Sequence, residues 1–172
     1  IWVGTRNGLN KINKDDMTIE KYKVEDGLID NNIKGLFIDE KNNLWIGTPI
    51  GLTVLNIETN EITDFTSRLI KAGIKEPYVR TVYEDKDEDG VYWIGGYISE
   101  GLIKFDINKD TIEMYSKYEE NGKQVIVNTI RTIVEDEENN LWIGTNSGLL
   151  KFNKIDKKFK SYTEKDGLAN NI

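Results

Sequence analysis

All four tryptophans of this chain stand in one short motif, and the motif returns four times. Ile1-Trp2-Val3-Gly4-Thr5, followed by Gly8-Leu9, recurs as Leu44-Trp45-Ile46-Gly47-Thr48 with Gly51-Leu52. It recurs again as Tyr92-Trp93-Ile94-Gly95-Gly96 with Gly101-Leu102, and as Leu141-Trp142-Ile143-Gly144-Thr145 with Gly148-Leu149. The tryptophans are 43, 48 and 49 residues apart. A period of that length makes each repeat one supersecondary unit that buries its apolar surface only by stacking on its neighbours.

Four short β patterns fill each period. An apolar strand comes first (Ile33 to Asp39, Val79 to Asp85, Ile130 to Asp136), and a polar turn leads from it into the Trp strand. Leu52 to Asn56, Leu102 to Asp106 and Leu149 to Asn153 form the third pattern; Ile62 to Phe65, Ile112 to Tyr115 and Phe159 to Tyr162 form the fourth. β-Branched and aromatic residues between Asn, Asp and Gly are what strands and hairpins require. No repeat holds a 3.6-residue apolar pattern long enough for paired helices. The predicted fold is therefore all-β: a β-propeller of four consecutive four-stranded blades at residues 1–24, 31–67, 78–117 and 126–164. The first blade lacks its inner strand, and residues 165–172 lead into a further one. On this reading the chain is a single, partial propeller taken from a larger, seven-bladed one. Its apolar end faces predict self-association if it is isolated.

Composition narrows the function. The net charge is −7 with both signs interspersed, so there is no basic face for nucleic acid. No apolar run approaches the roughly 20 residues of a membrane helix, so no direct membrane insertion is expected of this segment. There are no cysteines and no histidines. The lack of histidine removes the commonest general base and the commonest transition-metal ligand together.

Asp26-Gly27-Leu28-x-x-Asn31, then Leu44-Trp45-x-Gly47-Thr48-x-x-Gly51-Leu52, resembles the two-component regulator propeller repeat, and so does Glu135-Asp136 through Asn140-Leu141-Trp142 to Gly148-Leu149. The pattern is broken before Trp93 and Trp142, where Lys71-Ala72-Gly73-Ile74 and Glu120-Asn121-Gly122-Lys123 replace Asp-Gly-Leu. The resemblance implies paired seven-bladed propellers in the extracytoplasmic part of a bacterial sensor kinase. It also implies periplasmic or cell-surface placement, membrane tethering by segments outside this chain, and an oligosaccharide or other small extracellular ligand.

Trp2, Trp45, Trp93 and Trp142 are expected to be wedges between blades rather than a stacking platform, because each holds the same place in its repeat. Gly4, Gly47, Gly95 and Gly144 are expected at tight turns or close blade contacts. Lys34, Arg80 and Arg131 share one inner-strand position, either as a ring of cations around a channel or as partners of acids on the next blade. Asp85, Asp87 and Asp89, with Gly90 sixth, copy the start of a calcium loop, but Trp93 and Gly96 fill the ninth and twelfth ligand positions. Calcium is thus the single cofactor candidate, set against an ordinary acidic turn. The loops around each inner strand supply Asn31, Asn32, Lys75, Tyr78, Tyr97, Ser99, Asn128 and Asn146 as ligand-binding candidates. No acid–base pair stands out, so the sequence points to a sensing module without catalysis. The alternatives are a protein-binding scaffold and, behind it, part of a propeller lyase or hydrolase.

Overall fold

The computed structural model describes residues 1–97, 99–127 and 129–171. The first sheet has three strands, β1 (Trp2–Thr5), β2 (Gly8–Ile12) and β3 (Ile19–Tyr22). The second is β4 (Gly35–Ile38), β5 (Asn43–Thr48), β6 (Gly51–Asn56) and β7 (Ile62–Asp64). The third is β8 (Val79–Glu84), β9 (Val91–Gly96), β10 (Leu102–Asp106) and β11 (Thr111–Tyr115). Two segments stand where the Asp-Gly-Leu consensus is broken. A short helix, α1 (Thr66–Lys71), precedes β8, and a two-stranded hairpin, β12 (Lys117–Glu120) with β13 (Lys123–Ile126), follows β11. The fourth sheet is β14 (Ile130–Glu135), β15 (Asn140–Thr145), β16 (Gly148–Asn153) and β17 (Lys158–Tyr162). Strands in every sheet follow chain order, as antiparallel meanders of the predicted kind, and the first sheet lacks an inner strand as expected.

The chain divides into two compact units, Ile1–Val82 and Tyr83–Ile172. In the first, Leu9, Tyr22, Leu28, Ile33, Leu44, Ile46 and Leu55 form a core between the first two sheets. In the second, Trp93, Leu102, Val127, Ile130, Ile133, Leu141, Ile143, Leu150 and Phe152 do the same between the last two. Each fully buried aliphatic side chain contributes roughly 1.5–3 kcal/mol, so two such cores dominate the stability of their units. β5 and β9 are buried almost end to end, which is why they read as continuous apolar runs. β16 alternates buried with half-buried residues instead.

Two local features explain how the repeats are framed. The Asp-Gly-Leu segment forms a 3-10 turn at Val24–Asp26 closed by Gly27, whose φ of 109° suits glycine. The Asp26 carboxylate accepts the Lys23 N–H at 2.8 Å, and Asn31 Oδ1 accepts the Val24 N–H at 3.0 Å. Asp166 and Asn171 repeat both bonds, at 2.9 and 2.8 Å, on Thr163 and Glu164. The glycine after Trp45 has a different cause from a turn. A Cβ on Gly47 would lie 2.8 Å from the Val79 carbonyl oxygen, so close approach of backbone, not a left-handed φ, demands it.

Candidate functional site

Three of the four Trp strands are clasped to the strand before them by a hydrogen bond from the indole. The indole N–H of Trp45 donates to Asp39 Oδ2 at 2.8 Å, that of Trp93 to Asp85 at 2.7 Å, and that of Trp142 to Asp136 at 2.8 Å. The same aspartates hold the following turn: Asp39 Oδ1 accepts the N–H groups of Lys41 and Asn43, at 3.0 and 2.8 Å. A lysine directly across the sheet covers three of the indoles. Lys11 lies 5.5 Å from the Trp2 ring centre, Lys104 5.6 Å from that of Trp93, and Lys151 5.2 Å from that of Trp142. Val54 takes this place opposite Trp45. The four tryptophans are not equivalent. Trp45 and Trp93 are buried, whereas Trp2 and Trp142 are half-buried because the faces they occupy are open. The aspartate clasp was missed in the sequence, although an acid six residues before Trp45 and Trp142, and eight before Trp93, is its signal.

The clasp shifts titration. The Asn140 backbone N–H, with the Trp142 indole, holds the Asp136 carboxyl well below the usual carboxylate range. Burial works against the Asp85 charge, yet the hydrogen bonds from Trp93, Asp87 and Lys154 prevail and lower its pKa as well.

The ligand candidates fall into three groups. Asn31 is engaged in the frame: its side chain caps Val24, and its carbonyl accepts the Gly8 N–H at 2.7 Å. Arg131 and Asn146 are brought together, the Arg131 Nε–H donating to Asn146 Oδ1. Lys34 and Arg80 are half-buried and form no ion pair among the described residues. Lys75, Tyr97 and Ser99 are exposed, with Ser99 Oγ on Glu100 at 2.9 Å, and Tyr78 is half-buried. Asn128 lies outside the described residues. Asn32 differs from all of these. Its N–H is held by Asp30 Oδ1 at 3.1 Å, while its own Oδ1 is buried without a hydrogen-bond partner among the described residues. A buried acceptor left unmade is costly, so this atom is a natural point for a ligand donor.

The calcium-like loop is built differently from the expectation. Asp85 and Asp87 converge with Glu135, not with Asp89, their carboxylate oxygens within 4.8 Å of one another. The Lys154 ammonium lies among them, at 3.0 Å from Asp85, 3.2 Å from Asp87 and in contact with Glu135. Burial works against its charge, but Glu135 and Asp85 outweigh this and raise the lysine pKa. Burial, with the Glu135 charge beside it, pushes the Tyr83 phenol up to about 12.

Antiparallel meanders, three of them four-stranded and clasped through a tryptophan, are sheets of β-propeller blade type. Residues 27–49 and 124–147 match the two-component regulator propeller family. The chain is 32% identical over 186 residues to Histidine kinase P4 of Formosa agariphila, across 99% of this chain and 12% of that protein. Among solved structures it superposes, with a TM-score of 0.76, on an extracellular domain assigned to a hybrid two component system, BT3049, of B. thetaiotaomicron. That match has 27% identity and covers 94% of this chain and 22% of the other. The extracellular domain of BT4673 from the same organism gives the same TM-score at 20% identity, over 99% of this chain and 22% of that one, a likeness of fold. The chain therefore spans about an eighth of the curated relative and under a quarter of these ectodomains. The region resembles extracellular domains of two-component systems. No helix among the described residues is long and apolar enough to cross a membrane.

Proposed function

We propose that this chain is part of an extracytoplasmic ligand-binding module of a bacterial two-component signalling protein, carries out no chemistry itself, and takes an oligosaccharide or similar polar extracellular ligand. The signalling context rests on the relatives named above. The binding role is carried by Asn32: a buried, unpartnered acceptor in the segment running into the inner strand, beside Asn31, whose own amide is already engaged. Sugar hydroxyls are donors suited to such an atom. The half-buried Lys34, two residues on, suits acidic sugars.

The test is calorimetry of the whole ectodomain against a panel of neutral and acidic oligosaccharides. Asn32→Ala is expected to leave the melting temperature nearly unchanged and to weaken binding by about tenfold, the worth of one hydrogen bond of roughly 1.4 kcal/mol. Asn31→Ala is expected to lower the melting temperature instead. An Asn32→Ala ectodomain that binds as tightly as the original would remove Asn32 from the site and with it the main support for this reading.

A further inference from the structure

One lengthened hairpin and two charged side chains meet at one place. The hairpin after β8 is two residues longer than its counterparts, and it carries Asp85 and Asp87 toward the fourth sheet. Glu135, the last residue of β14, stands where the second repeat has Ile38 and the third Glu84. Lys154, just after β16, stands where the first repeat has Lys14 and the second and third have Ile57 and Ile107. Together they bring three carboxylates around one ammonium.

An ammonium has three donors and no acceptor; here it bonds both Asp85 oxygens and Asp87 Oδ2, and lies in ionic contact with Glu135. The Asp85 and Glu135 side chains are fully buried, and that of Lys154 is only 10% exposed. Lys86 adds two bonds across the same seam. Its N–H donates to Glu135 Oε2 at 3.4 Å and its ammonium to the Glu135 carbonyl at 3.1 Å. We infer that Lys154 is a built-in cation that occupies the position a metal ion would take in this acidic hairpin and fastens the third sheet to the fourth. The lengthened hairpin is thereby tied to a residue 69 positions away without calcium. The Lys157–Glu113 pair, at 2.8 Å, joins the same two sheets but is half exposed on both sides, so screening leaves it little weight.

The experiment is amide hydrogen exchange read by mass spectrometry on the protein that carries this chain, following peptides over residues 84–91 and 151–157. Lys154→Met is expected to speed exchange in the hairpin by about tenfold or more, since a buried carboxylate pair loses its counter-charge. Lys157→Met is expected to leave it unchanged. Lys154→Met with Glu135→Gln, which removes one of the stranded charges, is expected to recover part of the protection. It also serves as the deciding variant if Lys154→Met does not accumulate. Millimolar calcium is expected to change nothing in the unaltered protein. Wild-type exchange in Lys154→Met would overturn the inference. So would a double variant no better folded than the single one, or protection of the unaltered hairpin by calcium, which would mean that a metal displaces the ammonium.

Discussion

Trp45, Trp93 and Trp142 do two things at once: they fill the space between strands, and they donate to an aspartate. Trp45→Ala removes both, leaving a cavity and taking one hydrogen bond from the buried Asp39 carboxylate, and is expected to cost roughly 3–5 kcal/mol in denaturant unfolding. Trp142, half-buried, is expected to cost less in the same assay. The aspartates set the acid limit. Because the folded pKa of Asp136 and of Asp85 lies below the ordinary 3.8, their contribution is fully present above that value and is lost as pH falls through the folded pKa. Thermal melts should therefore be flat from neutrality to about pH 5 and fall steeply below pH 4. Asp136→Asn is expected to lower the neutral plateau and flatten the acid limb. An unchanged acid limb would show that the clasp is not what titrates.

At the scale of elements, sheet order and strand type were legible because the sequence states them repeatedly. Trp-x-Gly-Thr followed by Gly-Leu marks a tight hairpin, and Thr48 Oγ1 closes it on the Gly51 carbonyl at 3.0 Å just as Thr145 does on Gly148 at 2.8 Å. Which of the two expected reasons for the glycine applies, a tight turn or a close contact, was not legible, since a close approach between sheets leaves no local pattern. Gly47→Ala must push a Cβ to within 2.8 Å of the Val79 oxygen, so β5 and β8 have to part. Circular dichroism melts should show a clear loss for this variant and almost none for a change at Gly73, where nothing lies within 4 Å, provided the replacement there tolerates positive φ. Of the candidate site, the loops were located by their place in the repeat. That Asn31 serves the frame while Asn32 is left with a bare acceptor was not, because two adjacent asparagines differ only in which way the turn aims them. The meeting of Lys154 with Asp85 was hidden for another reason: periodicity describes what the repeats share, and this contact joins side chains from two of them.

For the whole molecule, the open faces matter most. Val3 and Val134 are 38% and 53% exposed on the first and fourth sheets, although both sit in strands of blade type. The isolated 172-residue chain is therefore expected to self-associate, with a mass by light scattering that rises with concentration. A dilute, stable monomer at all concentrations would contradict this. The aspartate–tryptophan clasp has a consequence for descent. Its donor and acceptor both lie within one sheet, so duplicating or deleting a repeat in the gene moves a complete fastening with it and disturbs only the cores between neighbours. Chains of this design can vary in repeat number by unequal recombination without a half-made bond at the junction. The bond between Lys154 and Asp85, which spans two repeats, is the kind that would pin such a pair together through that history.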